Sequence, residues 1–322
     1  MRRLLWVVGL IGIWWWLRGD RVRVDTDVQA AVLKDGFAVR SGQRVVDIDR
    51  KGNQRKQYSL EHTGDVRLLG PASGTAAVWI ESKKVRLVRL ATGKSVAVFG
   101  QSARMLCEGA ATNDERFAAG WLEADDSVWF VHGDTRVKRS DEASSVEIDE
   151  PVMVPATADR KNWCGIASAQ DLIALFWRDR DRLLIQTCTR KKCAGIAGSV
   201  AFDRNDTLLG FGCVRNACLL AARGKQGKSR LQFVTESGST KWTKELDITQ
   251  LEVAIIGAGP DAFAIGYSTA ESSDVLRVDR KGSTTRVWHG PPSGGAPALA
   301  WSNGQLLVAP RGGQSTLVAF PK

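Results

Sequence analysis

One short pattern recurs along the chain: a polar turn, then an apolar run rich in Ala, Leu, Ile and aromatic residues. It reads KDGFAV from Lys34, SGTAAVW from Ser73, NDERFAAGW from Asn113, QDLIALFW from Gln170, RNACLLAA from Arg215, PDAFAIGY from Pro260 and NGQLLVA from Asn303. With Asp35, Gly74, Asp114, Asp171, Asn216, Asp261 and Asn303 as markers, successive gaps are 39, 40, 57, 45, 45 and 42 residues. A period of about 40 to 45 is what four short strands and their turns occupy, the unit of a propeller blade. Seven markers predict an all-β, seven-bladed β-propeller of four-stranded antiparallel blades over residues 21–322. The single long gap predicts a local insertion between the third and fourth units. Length alone would suggest two domains, but closed all-β rings are a standing exception, and no Pro-rich or Ser-rich linker divides the 322 residues.

A second repeat falls between the third and fourth strands of the units. It reads VVDIDRKGNQRKQY, VRLATGKSVAVF and LRVDRKGSTTRVW, with Gly52, Gly93 and Gly282 each followed six residues later by Tyr58, Phe99 and Trp288. A related copy, FVTESGSTKW, places Trp242 four residues after Gly238. The physical reading is a hairpin whose glycine takes a positive φ, with the aromatic pinning the outer strand to the neighbouring blade. These hairpins resemble the DxxTGxxxW hairpin of PQQ-like, quinoprotein-type propeller repeats. The resemblance implies the fold and not the cofactor, since no quinone ligands can be assigned, and no cofactor is expected. The analogy within that family is the propeller that assists outer-membrane protein assembly, which implies a protein partner.

The last unit supplies only three strands, PALAWSNG, QLLVAPRGG and STLVAFPK. The run RVRVDTDV, residues 21–28, is predicted to provide its outer strand and so remove an exposed sheet edge.

Residues 1–20 read MRR, then the 14-residue apolar run LLWVVGLIGIWWWL, then RGD. A basic start and an apolar run make an export signal. At about 1.5 Å per residue the run covers roughly 21 Å against about 30 Å of hydrocarbon, the length of a signal-peptide core. Against cleavage, no small-x-small site follows, and Trp14, Trp15 and Trp16 suit a membrane–water interface. The favoured reading is an uncleaved helical signal anchor, with the propeller in the periplasm at the bacterial inner membrane. The alternatives are secretion after cleavage and a buried helix.

Six cysteines fit an oxidising compartment. Cys188 and Cys193 bracket TRKK, and Cys213 and Cys218 bracket VRNA; each tetrapeptide is turn-like between β-rich runs, so each pair is expected to bridge one hairpin. Zinc would need a CxxC-type spacing with partners, and no His lies near. Cys107 and Cys164 each stand seven residues before a marker, which predicts innermost strands of adjacent blades and a disulfide between them.

No constellation of catalytic residues emerges. His62, His132 and His289 show no HxxxH or HExxH spacing, and no GxSxG elbow, P-loop or dinucleotide fingerprint precedes a helix. Catalytic, cofactor and metal residues are therefore assigned as none. The string TESGSTKW lacks the Asp of a sialidase Asp-box and reads as a structural turn. The insertion RVKRSDEASSVEIDEPVMVPATADRK carries Asp141, Glu142, Glu147, Asp149 and Glu150, and as a charged loop it is the candidate partner-binding surface. Clustered carboxylates are also what calcium takes, but no EF-hand-like run is present. The net charge of +10 is spread along the chain, which suits a solvated surface or attraction to an anionic polymer or lipid. No helix-turn-helix, RNA-recognition or zinc-knuckle pattern is present, so nucleic acid is not an expected partner.

The sequence thus predicts a membrane-anchored, extracytoplasmic, non-enzymatic propeller that binds or scaffolds a protein. The alternative is a propeller enzyme of hydrolase, lyase or oxidoreductase type. An enzyme would converge acidic, His or Arg side chains at the central funnel; a scaffold would show an apolar or single-sign patch on a face or edge.

Overall fold

Each repeat folds as an antiparallel meander, because its apolar runs are too short for helices and are separated by turn residues that take positive φ, among them Asn216, Asn303, Gly52 and Gly282. The computed structural model describes residues 28–62, 64–70, 74–109, 111–112, 116–134, 147–148, 150–154, 164–169, 172–188, 193–202, 206–224, 227–246 and 252–320. Seven separate sheets result, and the chain is a seven-bladed β-propeller. Blade 1 comprises Val28–Leu33, Gly36–Ser41, Arg44–Asp49 and Gln54–Ser59, from the axis outward, and blades 2, 4, 5 and 6 repeat this order. The markers Asp35, Gly74, Asn216, Asp261 and Asn303 fall between a first and a second strand; Asp114 and Asp171 lie outside the described residues. The four outer-hairpin glycines all have positive φ: 90° at Gly52, 65° at Gly93, 84° at Gly238 and 84° at Gly282.

The second strand of each blade is sandwiched by both neighbouring blades. This explains its continuous apolar run without alternation, as in Ala217–Arg223, buried at six of its seven positions. Outer strands such as Gln54–Ser59 are exposed and polar. The cores therefore lie between blades. One joins Phe37 and Val39 of blade 1 to Ala300, Leu307 and Ala309 of blade 7, which closes the ring. Each such large side chain contributes about 1.5–3 kcal/mol on burial.

The outer-strand aromatics do pin neighbouring blades. Phe99 of blade 2 stacks on Trp121 of blade 3 at 6.0 Å. The Trp242 indole of blade 5 donates to the Arg280 carbonyl of blade 6 at 2.8 Å. Tyr58 of blade 1 donates to Asp47 Oδ2 at 2.9 Å, and Thr75 of blade 2 donates to Asp47 Oδ1 at 2.5 Å. Burial first, then the hydrogen bond to the Asp47 carboxylate, pushes the Tyr58 hydroxyl up to about 12. A raised native value means that the protonated form is favoured by the fold. Its contribution is complete below the unfolded value of about 10 and is lost as pH rises through about 12. Tyr58 and Tyr267 are the only two tyrosines, and burial also raises Tyr267. Ultraviolet titration of the folded protein should therefore show little tyrosinate at pH 10, and both residues should titrate normally in denaturant. Normal titration of both in the native protein would exclude the Asp47 bond.

Two expectations need correction. Val28 begins the innermost strand of blade 1, paired with Ser41, so it is not part of an outer strand of the last blade. Blade 7 has three described strands, Ala298–Ser302, Gln305–Ala309 and Thr316–Ala319, and residues 21–27 lie outside the described part. The insertion is not simply a loop. Its segments Glu147–Ile148 and Val152–Val154 pair with Val128–Asp134 and form the outer edge of blade 3, so Glu147 stands on a strand. The physical reason is that Val128–Asp134 leaves its backbone unpaired on that side until a partner arrives. The inner strand of this blade is also split, into Ala103–Leu106 and Ala111–Thr112, both paired to Arg116–Glu123. Among the described residues no helix is long and apolar enough to cross a membrane, and the apolar run of residues 4–17 lies outside them.

Candidate functional site

The split inner strand of blade 3 frees backbone groups that are used between blades. Glu108 N–H donates to the Cys164 carbonyl, and Ile166 N–H to the Glu108 carbonyl, both at 2.9 Å. The Cys107–Cys164 disulfide lies beside these bonds, with its Cα atoms 4.8 Å apart, and staples blade 3 to blade 4 as the spacing predicts. Cys213 and Cys218 bridge the first hairpin of blade 5. Cys188 is also disulfide-bonded and stands opposite Cys193 in the register of blade 4.

Elsewhere the inner strands are joined by single groups. The Gln29 side-chain amide donates to the Val66 carbonyl at 2.5 Å and accepts from Leu68 N–H at 2.9 Å, standing in for a peptide between blades 1 and 2. Arg67 Nε donates to the Cys107 carbonyl at 2.8 Å, and its guanidinium pairs with Asp65. Between blades 5 and 6 the backbones themselves meet. Val253 N–H donates to the Leu209 carbonyl at 3.0 Å, and a Cβ on Gly210 would fall on the Val253 carbonyl oxygen.

All seven blades contribute to a central channel of about 390 Å³. Its wall is mainly Ala, Gly, Ile, Leu and Val, with Phe211 and Trp301. Arg67 and Glu108 are the charged side chains in this wall, and Arg67 is already committed to Asp65 and Cys107. The described residues bring no three His, Cys, Asp or Glu side chains together in a metal-binding group.

The histidines do not converge. His62 stacks on Trp79 at 5.6 Å, His132 lies 6.1 Å from Phe130, and His289 is on blade 6. His289 has a partner that sequence reasoning missed: its Nδ1 lies 2.9 Å from Oδ1 of buried Asp274, which also meets Arg286 Nε at 3.1 Å and Ser272 Oγ at 2.8 Å. Burial alone would raise the Asp274 carboxyl, but the bonds from His289 and Ser272 and the Arg286 charge outweigh it and hold the group below its ordinary value. The signal was positional: Asp274 and His289 are direct cross-strand neighbours.

Surface patterning singles out a different place. The exposed large hydrophobics among the described residues are Val98 at 47%, Met105 at 38%, Val152 at 43% and Met153 at 53%, all on blades 2 and 3. Val152 and Met153 lie on the outermost strand of blade 3. The outer strands of blades 1, 5 and 6 carry Lys or Arg, as in QRKQYS, TKWTKEL and TTRVWHG, the usual protection of a free edge. Val152–Val154 reads VMV and has none; the outer strands of blades 4 and 7, CAGIAGSVA and TLVA, have none either, but Val152 and Met153 add exposed large hydrophobics to a bare edge. Of the predicted partner-binding residues, Glu147 and Glu150 flank this edge, with Glu150 exposed; Asp141, Glu142 and Asp149 lie outside the described part.

No family model matches the sequence, and no curated protein is similar to it. Solved structures match over nearly the whole chain. The β-propeller domain of Cps50 (Swd1) from Myceliophteria thermophila aligns with a TM-score of 0.56 and 16% identity, covering 92% of this chain and 99% of that one. A catalytically inactive virginiamycin B lyase from Staphylococcus aureus, with quinupristin, aligns at 0.53 and 14%, covering 93% and 97%. BBS1N in complex with ARL6DN aligns at 0.52 and 10%, covering 92% and 91%. The likeness is one of fold.

Proposed function

We propose that this chain is a protein-binding propeller that takes an extended segment of its partner along the outer edge of blade 3. The observation that carries the reading is the unguarded Val152–Val154 edge, with Val152 and Met153 half-exposed and the acidic residues Glu147 and Glu150 beside it. An added strand would take main-chain hydrogen bonds from that edge and seat apolar side chains on Met153 and Val152. The acidic flanks favour a segment with basic residues at its ends. BBS1N, similar in fold, is known in complex with a protein; virginiamycin B lyase, equally similar, is an enzyme with a small ligand. The apolar channel wall, in which Arg67 is already paired, favours the binding reading over an axial active site.

In the same reading residues 4–17 anchor the ring at the periplasmic face of the inner membrane. The disulfides and the outer hairpins, which resemble PQQ-like repeats, support an exported scaffold. Met153→Lys is the test. It restores edge protection at an exposed site, so stability should change by no more than about 0.5 kcal/mol. Proteins that co-purify with the wild type from detergent-solubilised membranes should be lost, yet be retained by Thr285→Lys on the outer strand of blade 6. An unchanged set with Met153→Lys would remove this edge from the account.

A further inference from the structure

In an antiparallel meander the first and third turns of every blade share one face of the ring, and the second turns and blade-to-blade links share the other. Charge is organised differently on the two. On the second face several arginines are held by carboxylates: Arg104 by Asp126 at 2.6 Å, Arg230 by Asp206 at 2.5 Å, Arg286 by Asp274 at 3.1 Å, and Arg86 and Arg311 by Glu81 and Glu252, while Arg44, Lys83, Lys84 and Arg182 are exposed there. On the first face one ion pair occurs among the described residues, Arg280 with Asp261 at 3.0 Å.

The first face instead carries two near-identical hairpins, Asp49-Arg50-Lys51-Gly52 in blade 1 and Asp279-Arg280-Lys281-Gly282 in blade 6. In both, the leading aspartate turns inward. Asp49 Oδ1 accepts Lys51 N–H at 2.8 Å and Asn53 N–H at 2.9 Å, and Asp279 Oδ1 accepts Lys281 N–H at 2.8 Å and Ser283 N–H at 2.9 Å. The cations are left outward: Lys51 and Lys281 are exposed, as are Arg55 and Lys56 just beyond the first hairpin. The two hairpins flank blade 7 and belong to one continuous surface. Arg280 reaches the Arg215 carbonyl of blade 5 at 2.7 Å, and Gln305 of blade 7 reaches the Arg50 carbonyl of blade 1 at 3.1 Å. Asp35 and Glu236 are the acidic groups on this arc beyond those already placed, against further exposed cations at Lys34, Arg215, Lys241 and Lys244.

We infer that this arc, from blade 5 across blade 7 to blade 1, docks on the anionic headgroups of a phospholipid bilayer. The inference rests on the anchoring reading above. Two considerations select a membrane over a soluble acidic polymer. The first and third turns of these blades share one face of the ring, a surface suited to a plane. The ten residues between Leu17 and Val28 reach up to about 33 Å extended, more than the roughly 20 Å spanned by a six-residue strand, so an anchored chain can present this face to its own membrane. The arc lies across the ring from blade 3, whose outer edge would then point away from the bilayer toward a partner.

The test uses the full chain reconstituted in vesicles of phosphatidylcholine, with or without about one-third phosphatidylglycerol. An impermeant amine-acylating reagent is applied, and labelling at Lys51, Lys56 and Lys281 is read against Lys83 and Lys84 on the opposite face. Each near-surface cation gains about 1 kcal/mol at an anionic surface, so labelling of the three should slow about fivefold in phosphatidylglycerol vesicles. It should recover at about 0.5 M salt, where screening is short-ranged. Arg55→Glu with Lys56→Glu should abolish the protection of Lys51. Equal labelling in both vesicles, or slowing at Lys83 and Lys84 instead, would overturn the inference. Slowing by soluble polyglutamate but not by vesicles would assign the arc to an acidic polymer. Flotation of the same samples with neutral vesicles in high salt reports anchoring separately, so a failed dock and a failed anchor are distinguishable.

Discussion

Replacing Cys107 and Cys164 together by Ala should lower stability by about 4 kcal/mol, the entropy of opening a 57-residue loop in the unfolded chain. That loop encloses blade 3 apart from its first inner segment, Ala103–Leu106, and includes the insertion, the longest departure from the repeat. Both sulfurs are buried in the blade 3–blade 4 core with Trp177, the cross-strand neighbour of Cys164. The two inter-blade backbone bonds of Glu108 remain in the variant, so the ring should still form, with a melting temperature lower by on the order of 8 °C. Removing the Cys213–Cys218 bridge, which closes a separation of only 5, should cost about 2 kcal/mol. Chemical denaturation of the two double variants beside the wild type measures the contrast. An equal or smaller loss for Cys107 and Cys164 would contradict a staple between blades.

Gly210→Ala should be nearly as damaging, at about 3 kcal/mol, for a reason unrelated to backbone freedom. A methyl group there overlaps the Val253 carbonyl oxygen, and Gly257 faces the Cys213 carbonyl in the same way, so the inner strands of blades 5 and 6 meet as bare backbone. Backbone cannot rotate aside as a side chain can. The two blades must separate, and the Val253–Leu209 hydrogen bond goes with them. Gly304→Ala is the control: φ is +79° with nothing within 4 Å of the added carbon, so only conformational strain of about 1 kcal/mol is expected. Similar losses for the two variants would show that the inner strands stand further apart than described.

The blade count was legible in the chain because second strands are buried on both faces and leave a dense apolar run after every first turn. The outer hairpins were legible because Gly52, Gly93, Gly238 and Gly282 need positive φ in a fixed relation to an aromatic. The cysteine pairs were legible because each brackets a turn or holds the same place in its repeat. The edge at Val152 was not legible. A three-residue strand has no measurable period, and Pro151 and the flanking carboxylates make the segment read as loop. Its exposure depends on what the other outer strands carry, a comparison that needs the strands identified first. The Asp274–His289 pair was hidden because 15 residues of hairpin separate partners that only the register brings together. The Gln29 bridge between inner strands likewise has no local sequence signature.

The proposed partner lies along the outer edge of blade 3. The direct measurement is site-specific photocrosslinking in cells, with a photoreactive residue placed in turn at Met153, Val98 and Thr285. One adduct of the same mass is expected at positions 153 and 98, and none at 285. The protein identified in that adduct, once purified, should bind the wild-type chain and not Met153→Lys. An adduct at 285 alone, or a purified partner that binds Met153→Lys as well as wild type, would contradict this placement.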